Sequence, residues 1–109
     1  MSNKIKDDSV DFLFRSILKL ETVEECYDFF EDLCTVPELK AMSQRIVVAY
    51  MLKNKRVYSD IVARTGASTA TISRVNRSLN YGEAGYDMVF GRMSPEELYI
   101  KSIEEDVEG

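Results

Sequence analysis

Histidine is absent from the 109-residue sequence, and cysteine occurs only twice, at Cys26 and Cys34. Without histidine, no Ser-His-Asp triad, Cys-His pair or histidine-ligated zinc site can form. No nucleophile paired with a base and no phosphate-cradling glycine loop stands out, so neither an enzyme nor a metal site is expected. Cys26 and Cys34 fall on one expected helix, about 12 Å apart along its axis. A disulfide cannot span that distance, and two small apolar core residues are expected instead. No apolar run approaches the roughly 18 to 20 residues that a bilayer requires. Met1 to Asp8 is polar and mixed in charge, unlike a secretory signal. These absences predict a soluble, cytoplasmic protein with no membrane partner. Internal repeats, low-complexity segments and Pro/Gly linkers are missing too, which leaves residues 1–109 as one expected domain.

The apolar content of 45% is enough for a core and unlike that of a disordered chain. The net charge of −5 looks wrong for a nucleic-acid binder, but the charge is unevenly spread. Residues 1–35 carry four basic and nine acidic side chains, and residues 81–109 carry two and eight. Residues 36–80 carry eight basic and only two acidic. Screening confines fields to about 10 Å at ordinary salt, so a basic middle can dock on phosphates despite acidic ends.

Helical periodicity dominates the chain, and few stretches suit strands. The expectation is an all-α domain of about six helices. A first helix is expected from about Ser9 to Leu20. Thr22-Val23-Glu24-Glu25 and Thr35-Val36-Pro37-Glu38 read as capping boxes that open the second and third helices. The third runs to about Asn54, with Leu39, Met42, Ile46, Ala49 and Tyr50 at helical spacing. A short helix from Val57 to Thr65 ends at Gly66, and another covers Ser68 to Leu79. Gly82, Gly85 and Gly91 make residues 80–93 loop-like. Ser94-Pro95-Glu96-Glu97 then starts a last helix. Helices one and two carry more apolar surface, from Phe12 to Phe30, than a small domain easily covers, so a homodimer interlocked through residues 9–54 is expected.

Residues 57–79 read as a helix-turn-helix, followed by a loop and C-terminal helix in 80–109. Ile61 and Val62 anchor the first motif helix, and Gly66 allows a sharp turn. Ser68 caps the second helix, while Ile72, Val75 and Leu79 share its inner face. Its outer face shows short hydroxyls, a methyl group and arginines. Small residues let a helix approach base edges, and arginine suits phosphate or guanine. The expected contacts to double-stranded DNA are Ser68, Thr69, Ala70, Thr71, Ser73, Arg74 and Arg77, with Lys55 and Arg56 just ahead of the motif.

Pro37-Glu38-Leu39-Lys40-Ala41-Met42-Ser43-Gln44-Arg45, together with Gly66-Ala67-Ser68-Thr69-Ala70-Thr71-Ile72-Ser73-Arg74 and Ser78-Leu79, resembles the Trp repressor family. The nearest likeness is to its YerC/YecD branch. The resemblance covers about Val10 to Phe90 and is strongest from Thr35 to Leu79. It implies an intertwined helical homodimer whose fourth and fifth helices read DNA as a two-fold pair, and a transcriptional repressor as the function. It also implies a small-molecule corepressor, in the family L-tryptophan, at Thr35, Arg45, Arg74 and Ser78. Two arginines can hold a carboxylate. Two departures bear on that ligand. Val75 stands where the family has glycine beside its pocket arginine, which should shrink the space for an indole. The stretch from Arg45 to Tyr58 is one residue longer, which can turn Arg45 elsewhere. Tryptophan is therefore not the favoured ligand.

A protein-interaction adaptor that uses the helical hairpin is the alternative, and steep salt dependence of duplex binding separates the two. An RNA-binding role ranks lower, because the motif lacks an exposed aromatic platform.

Overall fold

The computed structural model describes residues 6–105. These residues form helices only: α1 (Asp8–Ile17), α2 (Val23–Leu33), α3 (Val36–Lys53), α4 (Tyr58–Thr65), α5 (Thr69–Tyr81), α6 (Gly85–Arg92) and α7 (Lys101–Glu104). The all-α class is as expected from the periodicity. The chain divides after Lys40 into two compact units.

In the first unit, each helix begins where a side chain satisfies free amides. The Asp7 carboxylate accepts from Val10 N at 2.8 Å, so α1 starts one residue earlier than expected. It also stops earlier. Lys19 N and Leu20 N bond to the carbonyls of Ser16 and Ile17, which closes the end as a tighter turn. Thr22 Oγ1 accepts from Glu25 N at 3.1 Å, and the Glu25 carboxylate accepts from Glu21 N at 2.8 Å. Thr35 and Glu38 bond reciprocally, at 2.8 and 3.2 Å, to open α3. The Thr35 backbone N–H, and then its hydroxyl, hold the Glu38 carboxyl below the usual carboxylate range.

Apolar residues of this unit remain uncovered. Neither α1 nor α2 contains a buried residue. Phe12 is 67% exposed, Leu18 81% and Tyr27 62%. Cys26 and Cys34 are free thiols and only half-buried, not core residues as their apolar neighbours suggested.

The second unit holds the core. Val48, Ala49 and Met51 of α3 pack with Ile61, Ala67, Ile72, Val75 and Ile103, all essentially buried. The inner face of α3 therefore differs from the expected one: Met42 and Ile46 are exposed, and Val48 and Met51 point inward. Helix α3 ends in a Schellman arrangement. Arg56 N bonds to Met51 O, Lys55 N bonds to Leu52 O, and Lys55 takes a left-handed φ of 62°.

Residues 80–93, expected to be a loop, contain α6. Gly85 and Gly91 do not prevent the helix, because local propensity weighs less than packing in a short helix. Phe90 supplies that packing, edge-on to Tyr50 at 5.4 Å and stacked on Tyr86 at 6.1 Å. Ser94 and Glu97 form the expected capping box, with bonds of 2.8 and 3.2 Å. It opens only a turn, and the last helix proper is the four-residue α7.

Candidate nucleic-acid interface

Helices α4 and α5 form a helix-turn-helix whose turn is fixed by side chains. Gly66 has φ 72° and donates to Val62 O at 2.9 Å, closing α4. Thr65 Oγ1 donates to Ile61 O at 2.7 Å and accepts from Ala67 N at 3.1 Å. Gln44 of α3 donates to Thr65 O at 3.1 Å. Ala67 is buried beneath the turn. Ser68 caps α5 by accepting from Thr71 N at 3.1 Å. The segment is thus held from both sides before any ligand arrives.

Packing fixes the rotation of α5. Ile72 and Val75 are buried and Leu79 is half-buried against the core. The opposite face presents Ser68, Thr69, Ala70, Ser73, Arg74, Arg77 and Ser78, all exposed, with Thr71 half-buried at its edge. Every α5 residue expected to touch DNA is therefore on the outer side or its margin. Val62 was expected to anchor α4 beside Ile61; it is 39% exposed, and Ile61 alone is buried.

The cations ahead of the motif divide into two groups. Lys55 is exposed. Arg56 is committed within the fold: its Nε donates to Asp60 Oδ2 at 2.6 Å and its Nη2 to Ile103 O at 3.0 Å. Arg64 Nε donates to the other Asp60 oxygen at 2.9 Å, and its Nη1 to Glu105 O. Hydrogen bonds from Arg56 and then Arg64 hold the Asp60 carboxyl below its usual range. The sequence signal for this clamp was present in part: Arg64, four residues after Asp60, shares its face of α4, whereas Arg56 reaches Asp60 from ahead of the helix.

The residues that the resemblance assigns to a corepressor have varied settings. Thr35 lies in the first unit, where it caps α3. Arg45, Arg74 and Ser78 lie in the second; Arg45 is half-buried and Arg74 exposed. Ser78 opens onto an apolar cleft of about 580 Å³ whose walls include Ile46, Tyr86, Met88 and Val89 but neither arginine. Val75 was expected to narrow a niche beside Arg74. Its side chain instead turns into the core, 2% exposed. The steric consequence of having no glycine there is a filled core position.

Comparison with known proteins agrees with this geometry. The family model described as Trp repressor protein matches residues 8–94. The uncharacterized protein YerC of Bacillus subtilis (strain 168) is 50% identical over 100 residues, covering 92% of this chain and 96% of YerC. A crystal structure of a TrpR-like protein from Eubacterium eligens ATCC 27750 is 59% identical with a TM-score of 0.80, covering 84% of this chain and 94% of that one. A candidate Trp repressor from Staphylococcus aureus is 51% identical with a TM-score of 0.81, covering 85% and 94%. With its motif helices, its turn and most of its length matched, the chain belongs to the Trp repressor family.

Proposed function

We propose that this protein is a homodimeric transcriptional regulator, a repressor, that binds double-stranded DNA by inserting α5 into the major groove. The observation that carries the reading is the two-sided character of α5. Ile72 and Val75 lock one face into the core, and the other offers small residues at the helix start with Arg74 and Arg77 behind them. A capped helix with a small, polar amino end can approach base edges, and arginines farther along can grip phosphate or guanine. Family membership supports a DNA-binding regulator.

Ser68, Thr69, Ala70, Thr71 and Ser73 are the proposed groove-facing residues, and Arg74, Arg77 and Lys55 the proposed cationic contacts. Arg56 contributes mainly by holding Asp60 and the C-terminal turn. The homodimer follows from the uncovered apolar residues of α1 and α2. A second copy covers them most economically, and a two-fold pair of α5 helices results. The expected setting is cytoplasmic. L-Tryptophan is not the proposed effector, because the cleft at Ser78 has neither arginine in its walls to hold a carboxylate.

Titration of duplex affinity against salt tests the reading. Three cations per protomer make six per dimer, which predicts a slope of about −5 in log K against log salt. Ala70→Glu places charge and bulk on the groove-facing side and should abolish specific binding in a folded protein. A slope near zero, or unaltered affinity in folded Ala70→Glu, favours the adaptor alternative.

A further inference from the structure

The turn Ile100–Glu105 lies beyond the part that matches the family model, which ends at residue 94. Yet Ile103 is 2% exposed and belongs to the same core as Ile61, Ile72 and Val75. We propose that the C-terminal turn Ile100–Glu105 is a positioning element for DNA recognition, which clasps α4 and so fixes the pose of α5. The inference rests on the DNA-binding reading above.

Helices of eight and four residues cannot persist alone, so α4 and α7 depend on their anchors. The anchors are of two kinds. Ile103 supplies apolar contact, with Ile100 half-buried beside it. Arg56 and Arg64 supply the polar part: each gives Nε to Asp60 and a terminal nitrogen to a backbone carbonyl of the turn, Ile103 O or Glu105 O. Carbonyls at a helix end lack partners within the helix and favour cations. Only a planar guanidinium can serve a carboxylate and a carbonyl from one rigid fork; a lysine ammonium offers a single point of attachment. The clasp therefore acts through α4 at one end of the motif, while Gln44 holds the turn at the other. None of its residues needs to touch DNA.

A positioning role differs measurably from a merely structural one. Loss of folded protein lowers affinity for every duplex by the same factor. Loss of pose lowers affinity for the preferred sequence far more than for random duplex, which is bound mainly through phosphates. The experiment compares the full chain with Ile103→Asp, Ile103→Val and Arg64→Lys. It measures amide exchange in α4 and affinity for random duplex and for the sequence enriched from a random pool. Ile103→Asp should speed α4 exchange and lower the specific-to-random ratio, each at least tenfold. Ile103→Val should stay within threefold of the parent. Arg64→Lys keeps the core intact, and it should shift both readouts in the same direction as Ile103→Asp. An unchanged ratio in folded Ile103→Asp and Arg64→Lys, or an equal fall for both duplexes, overturns the inference while duplex binding by the parent stands. A parent that binds no duplex overturns the DNA reading and this inference with it.

Discussion

Alanine at Gly66 and alanine at Gly82 should both destabilise the protein, but for opposite reasons. A Cβ at Gly66 would meet nothing within 4 Å, so space is not limiting. The backbone is: φ is 72°, a left-handed conformation costing an L-residue roughly 1–2 kcal/mol. Reduced freedom of the unfolded chain offsets about 0.4–1 kcal/mol of that. The net loss for Gly66→Ala is about 0.5–1 kcal/mol, or roughly 2–6 °C in Tm for a chain of this size. Gly82 has an ordinary φ of −88°. There a Cβ would crowd the Ser78 backbone, lying 3.3 Å from its carbonyl carbon and nearer still to its oxygen. The same carbonyl accepts the Gly82 N–H that ends α5, at 2.9 Å. The last turn must shift or open, an overpacking cost of about 1–3 kcal/mol. Asparagine separates the two causes, because it tolerates the left-handed region. Gly66→Asn should recover most of the loss, and Gly82→Asn should recover none. Thermal melts at fixed protein concentration read the difference, since the melting of the proposed dimer would depend on concentration. If Gly82→Ala is harmless, or Gly66→Asn is no better than Gly66→Ala, the reasoning is refuted.

Three other outcomes follow from the same structure. In the proposed dimer, Phe12→Asp should raise the dissociation constant roughly 1000-fold in sedimentation, because two copies would each lose about 2 kcal/mol of apolar burial; an unchanged constant would exclude α1 from the proposed interface. The Asp60 carboxyl is depressed in the fold, so its stabilising contribution is complete above its unfolded value near pH 4 and vanishes as pH falls through the folded value. Urea melts at pH 7 and pH 3 should therefore show a larger acid loss in the parent than in Asp60→Asn, and equal losses would contradict the clamp. Val75→Gly should cost about 3 kcal/mol, from an emptied core position and a glycine in mid-helix, and millimolar L-tryptophan should raise the Tm of neither parent nor variant; a rise in either would restore the family's corepressor.

The parts of the fold legible in the sequence were those with local chemical causes. Thr22 with Glu25 and Thr35 with Glu38 marked helix starts, and Ser94 with Glu97 a single turn, because a hydroxyl and a carboxylate three residues apart satisfy amides within one turn. Gly66 and Ser68 marked the motif's turn for equally local reasons. Elements held by distant partners were illegible. Helix α6 depends on the packing of its Phe90 ring against Tyr50 of α3, with Tyr86 stacked beside it, and its glycines pointed the other way. The turn at Ile103 is held by Ile61, Ile72 and Val75 in the core and by Arg56, 47 positions earlier, separations that periodicity cannot reach. The same limit explains the candidate interface. The outer face of α5 and the inward side of Val75 could be read from the spacing of Ile72, Val75 and Leu79, but the reach of Arg56 to the Ile103 carbonyl needed the packed core.

Selection of bound sequences from a random duplex pool tests the central claim most directly. The account predicts a palindromic consensus whose half-sites lie about one helical turn, roughly 10 base pairs, apart or a multiple of that. Ala70→Glu should enrich nothing from the same pool. A pool without enrichment, or a consensus without two-fold symmetry, would contradict a homodimer that reads DNA with paired α5 helices.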